Sequence, residues 1–229
     1  MNILSKLTSR VIGRKIFFDS KIPMDYLLWS VLWGKFVALL YGMIRLHTLK
    51  TVFVHPTAVI KGRSMMRFGR NLNIERGCYI DALSSEGLVL GDNVSIGYQT
   101  FIRITGSLEN IGLGIQIGNN VGLGTHGFYG SGRGRLQIGD DTIFGSYVSI
   151  HPENHIHVDL NKPIRLQGVS SNGGVAIGKG CWIGAKVTIL DGTKIGDGCI
   201  VAAGAVVRGE FPDNVIIGGV PAKILKDRG

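Results

Sequence analysis

Apolar residues recur at every sixth position over most of this chain. Counting in sixes lands on Leu90, Ile96 and Ile102, on Ile117 and Leu123, on Ile138, Phe144 and Ile150, and on Ile177, Ile183, Ile189, Ile195, Val201 and Val207. All fourteen positions are aliphatic or aromatic, and nine of them are followed directly by Gly. A looser phase at Phe68-Gly69, Ile74 and Ile80 places the start earlier. Neither the period of 2 of a half-buried strand nor the 3.6 of an amphipathic helix gives such a pattern. A hexad of this kind reads as one short strand plus a corner, the aliphatic side chain inward and the Gly relieving crowding at the corner. Three sides close a triangular coil of about eighteen residues, and successive coils stack about 4.8 Å apart, the spacing of hydrogen-bonded strands. The predicted fold is all-β, a parallel β-helix.

The fifth position of each hexad should hold a small residue, and it does, at Val94, Thr100, Thr142, Val148, Val187 and Ala205 among others. Cys181 and Cys199 share that position eighteen residues apart, and Cys78 holds it relative to Ile74, so the three cysteines read as small core fillers rather than metal or catalytic thiols. The frame breaks between 102 and 117, between 123 and 138, and between 150 and 177, where loops must leave the solenoid. The longest, His151 to Ala176, carries three of the six histidines. Long excursions from a rigid scaffold are where function concentrates.

Before the repeat, Pro23 and Asp25 supply the first turn of a helix predicted to run through Tyr26-Leu27-Leu28-Trp29 toward Leu46. A bilayer-spanning reading puts Lys35 near mid-depth at about 2.5–3.5 kcal/mol, so spanning is disfavoured. Charge changes the picture here. Residues 1–50 hold eight Lys/Arg against two Asp, a net of +6, and the remaining 179 residues contribute only +3 of the total +9. A basic segment beside apolar sequence points to a cytoplasmic membrane surface rather than nucleic acid, with Lys15, Lys21, Lys35 and Arg45 near headgroups and Trp29, Trp33 and Tyr41 at the interface. The same face could instead pack on the protein itself. The expected organisation is a basic, apolar helical segment over 1–50, a β-helix over 51–217 with its loop at 151–176, and a tail over 218–229. An apolar share of 45% excludes disorder, 35 Gly without a G-x-y register excludes collagen, and three cysteines argue against a secreted disulfide framework.

The run Ile177-Gly-Lys-Gly-Cys-Trp-Ile-Gly-Ala-Lys-Val through Val207, followed by Gly218-Gly-Val-Pro-Ala-Lys223, resembles the hexapeptide-repeat acyltransferases. The similar branch is that of galactoside, maltose and xenobiotic acetyltransferases and polysaccharide O-acetyltransferases. The resemblance implies a left-handed β-helix, a homotrimer, and acetyl-CoA as co-substrate in the cleft between subunits, with no metal. It places the catalytic histidine on His155, and the Asn154-His155 pair resembles the Asn-His of the xenobiotic branch. It places donor contacts on Ala185, Ala203, Arg208, Gly209, Lys223 and Lys226, and beside these the ring of Trp182 is suited to pack against the donor's pantetheine arm or a neighbouring loop. His126, Asn154 and His157 are candidate acceptor contacts. The family often has Thr-Lys or Thr-Arg where this chain has Arg208-Gly209, and its acceptor-binding carboxylate has no counterpart between Thr125 and Arg135.

Acetyl transfer from a thioester to a sugar hydroxyl needs a base for the hydroxyl proton, and imidazole suits that near neutral pH. The implied function is a sugar O-acetyltransferase of a cell-surface polysaccharide or its precursor, cytoplasmic or peripheral on the inner membrane face. Two other readings stand beside it. One is a metal-dependent hydratase of the γ-carbonic-anhydrase kind using His151, His155, His157 and Glu153. The other is a non-catalytic solenoid that binds a glycan or protein partner.

Overall fold

The computed structural model describes residues 2–12 and 15–229; Met1, Gly13 and Arg14 of the N-terminal segment lie outside the described residues. From Val52 onward the chain winds into a triangular prism of three parallel sheets. The first face carries strands Val52–Val54, Leu72–Ile74, Ser95–Ile96, Gly122–Leu123, Ile143–Phe144, Trp182–Ile183, Ile200–Val201 and Val215–Gly219, and is closed by the antiparallel strand Ala222–Asp227. The second face runs from Val59–Lys61 to Val206–Val207 and includes Ser149–His151; the third runs from Met66–Phe68 to Glu210–Phe211.

The hexad is the physical basis of this prism. All fourteen hexad positions are buried and stack on one another across coils, as in Ile138↔Ile177↔Ile195 and Phe144↔Ile183↔Val201. The fifth positions are buried too, and the threonines there satisfy their hydroxyls on neighbouring carbonyls: Thr100 Oγ1 donates to Gly124 O at 2.7 Å and Thr142 Oγ1 to Gly178 O at 2.9 Å. The three cysteines are free and buried, and burial pushes the Cys181 thiol up to about 11. Gly after the hexad residue answers to close stacking of coils. A Cβ on Gly139 would stand 2.7 Å from the backbone of Gly178.

At the corner between the third and first faces the left-handed conformation falls to Asn71, Asn93, Asn120 and Asp141, with φ of 58°, 58°, 57° and 59°. Their side chains form a ladder, each Asn Nδ2 donating to the next Oδ1 at 2.8 Å. Asn tolerates this conformation better than other residues bearing a Cβ.

Beyond a four-residue excess in the coil from Met66 to Leu88, three further excursions leave the solenoid at the corner between the second and third faces. The coil from Gly87 to Gly114 is nine residues longer than the regular eighteen, that from Gly114 to Arg135 three longer, and that from Leu136 to Val175 twenty-one longer. They therefore rise one above another on one edge of the prism. Arg133 ties them together, its backbone N–H donating to Glu153 Oε2 at 3.1 Å and its guanidinium to Asn110 Oδ1 at 3.0 Å.

Ahead of the prism lie α1 (Asn2–Ile12) and a continuous helix made of a π-helical stretch, Tyr26–Trp33, running into α2 (Gly34–Arg45). By length and composition Tyr26–Arg45 could cross a membrane. Here it packs on the solenoid: Leu27, Ala38 and Gly42 are buried, and α2 lies on strand Val52–Val54. Leu46, fully buried, joins the core at the prism's first coil, and Arg63 Nε holds its carbonyl at 2.8 Å.

Candidate active site

The third excursion is built on a two-stranded hairpin in which Asn154 pairs with Ser170 and His155 with Val169, antiparallel. Period-2 alternation sends neighbouring side chains to opposite sides of such a ribbon. Asn154 turns toward the solenoid, where its Nδ2 donates to Asp191 Oδ2 at 2.8 Å, and His155 is exposed. Among the described residues its ring has no hydrogen-bond partner. His157, also exposed, donates from Nδ1 to the carbonyl of His155 at 3.0 Å; a carbonyl only accepts, so the proton on that nitrogen is fixed.

Asp191 is the anchor of this loop and was not singled out from the sequence. It is 1% exposed, and its two oxygens accept four hydrogen bonds: Asn154 Nδ2 and the backbone N–H of Asn172 at 2.6 Å on one, Ser171 Oγ at 2.8 Å and the backbone N–H of Gly174 at 3.0 Å on the other. The outgoing and returning arms of the loop thus meet on one buried carboxylate. A signal for it existed: His151 pairs with Leu190, so Asp191 stands one coil beyond the point where the frame breaks.

His151 lies at the exit of the loop, its Nε2 2.6 Å from Ser149 Oγ and its ring stacked on Phe128 at 5.3 Å. Burial lowers its pKa, with Glu153 pulling the other way. Among the described residues no group of three or more His, Cys, Asp or Glu is placed to hold a metal ion.

The donor positions lie mostly elsewhere on the prism. Trp182 is 54% exposed on the first face. Ala185 and Ala203 occupy the corner between first and second faces, where Gly204 N–H donates to Ala185 O at 2.9 Å. The C-terminal hairpin covers the end of the first face, with Lys223 opposite Gly218 and Lys226 opposite Ile216, both exposed. Arg208 and Gly209 sit instead at the corner between second and third faces, the corner from which the His155 loop rises.

His126 is on the same corner as Ala185, two coils away, because Tyr147 N–H donates to Thr125 O and Lys186 N–H to Ser146 O. Its ring stacks on Tyr147 at 4.7 Å, meets Tyr98 edge-on at 5.2 Å, and keeps a buried Nδ1 with no partner among the described residues. One copy of the chain therefore brings His155, His157, Arg208 and Gly209 to one edge, and Trp182, Ala185, Ala203 and His126 to the first face and its far corner.

Comparison with known proteins bears on this arrangement. The pattern described as bacterial transferase hexapeptide (six repeats) matches residues 174–209. A putative lipopolysaccharide biosynthesis O-acetyl transferase, WbbJ of Escherichia coli, is 30% identical over 173 residues, covering 73% of this chain and 74% of that protein. This chain belongs to the hexapeptide-repeat acyltransferase family. A galactoside O-acetyltransferase of Lactococcus lactis is 32% identical over 137 residues, 60% of this chain and 61% of its own. Among solved structures, a variant of AntD, an N-acyltransferase from Bacillus cereus in complex with dTDP-4-amino-4,6-dideoxyglucose and coenzyme A, superposes with a TM-score of 0.52 at 20% identity, over 79% of this chain and 82% of that one. That likeness is one of fold. The prism is the left-handed parallel β-helix of the hexapeptide-repeat acyltransferases, and the chain is an acyltransferase.

Proposed function

We propose that this acyltransferase moves the acetyl group of acetyl-CoA to a hydroxyl of a saccharide, one destined for a cell-surface polysaccharide, with His155 as general base. The observation that carries the reading is the hairpin: a solvent-facing imidazole on a ribbon whose other side is clamped to the solenoid by Asp191. A ring so placed can take the proton from an acceptor hydroxyl as its oxygen attacks the thioester carbonyl, and return it to the departing CoA thiolate. Binding both substrates in one cleft supplies the remaining large contribution, proximity. No covalent intermediate is needed.

Lys223 and Lys226 on the C-terminal hairpin and Arg208 on the loop corner offer positive charge to the phosphates of the donor, and Trp182 a flat surface for its pantetheine arm. Since the histidine edge and the tryptophan face are apart on one chain, the complete cleft is formed between neighbouring copies of a homotrimer. The relatives' names support the chemistry: WbbJ is described as a lipopolysaccharide biosynthesis O-acetyl transferase, and the Lactococcus protein as acting on galactosides. A basic N-terminal segment, net +6 over residues 1–50, with exposed Trp29 and Trp33, supports a cytoplasmic enzyme lying against the inner membrane face.

The test is calorimetric titration with acetyl-CoA and CoA alongside turnover of His155→Ala. Transfer should fall by about 10²–10⁴-fold, the contribution of a positioned base, while donor affinity stays unchanged. Unchanged turnover removes His155 from the mechanism, and absence of CoA binding removes the donor.

A further inference from the structure

A cavity of about 730 Å³ lies between the N-terminal helices and the first face of the prism, in the size range of small-molecule sites. Its outer wall is apolar, with Leu7 from α1, Phe18 from the connector and Leu32 from the π-helical stretch. Its floor is the outward column Asn73, Ser95, Gly122 and Ile143, which hydrogen-bonded registers place on successive coils. The next residue of that column is Trp182. One coil, about 4.8 Å, therefore separates the cavity floor from the ring given to the donor. The coil holding Ile143 also runs on through Ser149–His151 into the Asn154–His155 hairpin. An occupant of the cavity borders the reaction without being part of it.

One lining residue says what that occupant is. Lys35 borders the cavity and is itself exposed, donating from Nζ to Asn73 Oδ1 at 2.6 Å and lying 5.2 Å over the ring of Phe53. Surrounding protein lowers its pKa, with Glu75 opposing, and among the described residues no carboxylate lies within 4 Å of it. A cation held against neutral partners favours an arriving anion. Trp29 and Trp33, 70% and 55% exposed, make an edge-to-face pair on the same helix, the kind of amphipathic ring found at the membrane interface.

We propose that the cavity takes the hydrocarbon chain of a lipid carrier, its phosphate at Lys35, on which the saccharide acceptor is presented to the cleft. The inference rests on the sugar-acetyltransferase reading and narrows its acceptor to a lipid-linked saccharide. Gly122 leaves the floor open: a Cβ there would meet only Ser95 Oγ at 3.6 Å and Ile143 Cγ2 at 3.9 Å, ordinary contacts, so a larger side chain fills the cavity without straining the coil.

The experiment titrates the full-length protein with geranylgeranyl diphosphate, a hydrocarbon chain bearing a diphosphate, and with inorganic diphosphate alone, followed by native mass spectrometry. Wild type should bind the lipid diphosphate more tightly than inorganic diphosphate. Gly122→Phe and Lys35→Gln should each weaken lipid binding by roughly tenfold, with CoA affinity unchanged in both. Equal affinity in both variants and wild type, or no lipid binding by a protein that still binds CoA, overturns this proposal alone. So does palmitoyl-CoA binding more tightly than acetyl-CoA and losing that advantage in Gly122→Phe, because the cavity then serves the donor's chain. Failure of the wild type to bind CoA overturns the acetyl-CoA reading and this proposal with it.

Discussion

A carboxylate withdrawn from water is costly unless its lone pairs are filled, and Asp191 fills its own with both arms of the His155 loop. Truncation to Ala leaves four donors without their acceptor, some in reach of water, and should destabilise the fold by about 2–4 kcal/mol in denaturant unfolding. The effect on catalysis should run through His155 alone. Turnover falls in Asp191→Ala with donor affinity unchanged, and the double variant with His155→Ala is no slower than His155→Ala by itself. Independent, multiplying losses would show that Asp191 serves stability and not the histidine's position. At this scale the sequence was unevenly readable. His155 stands out because a loop, a spacing and a family resemblance converge on it. Asp191 is hidden because a charged residue before a Gly reads as a solvated corner, and only the register across a coil lengthened by twenty-one residues puts it under the loop. His126 could be noticed but not placed, since a linear count does not say on which of three edges a corner falls.

Elements of the prism were legible because each hexad carries its own signature: inward aliphatic, Gly at the close approach, small fifth residue. Each of these answers to a local steric demand, so no long-range information is needed to recognise it. The helical segment is different. An apolar helix with basic flanks satisfies a bilayer and a protein face equally well, and what seats α2 on the prism is a contact that no count in sixes supplies: Gly42 against the backbone of Val52. A Cβ at Gly42 would lie 2.6 Å from Val52 O, a backbone atom that has little freedom to move. Gly42→Leu should therefore lift α2 off the first face, at a cost of about 1–3 kcal/mol for overpacking. Limited trypsin digestion would then cut at Lys21 and Arg45 faster than in wild type, while the solenoid's own unfolding transition stays where it was. An unchanged digestion pattern would mean that α2 is not held to the prism by this contact. The same variant should lose the cavity, whose outer wall those helices form.

At the scale of the whole molecule, the division of the site between two edges makes a statement about assembly. His155 rises from the corner between second and third faces, and Trp182 and the Lys223 hairpin belong to the first face. In the homotrimer proposed above, a head-to-tail ring of three copies would set one copy's loop edge against the next copy's first face, and each cleft would then take its base from one chain and its main donor surface from another. Two inactive variants should consequently repair each other. His155→Ala keeps a sound donor face, and Trp182→Ala/Lys223→Ala keeps a sound loop. In trimers unfolded and reassembled from an equal mixture, a cleft is complete when a chain with intact loop adjoins a chain with intact donor face in the right order. Random assortment gives that in about one cleft in four, so activity should return to about a quarter of the wild-type value. Mixing the folded homotrimers without reassembly restores nothing. If the site lay within one chain, every cleft in the reassembled mixture would still carry one lesion or the other, and activity would remain at the level of the separate variants.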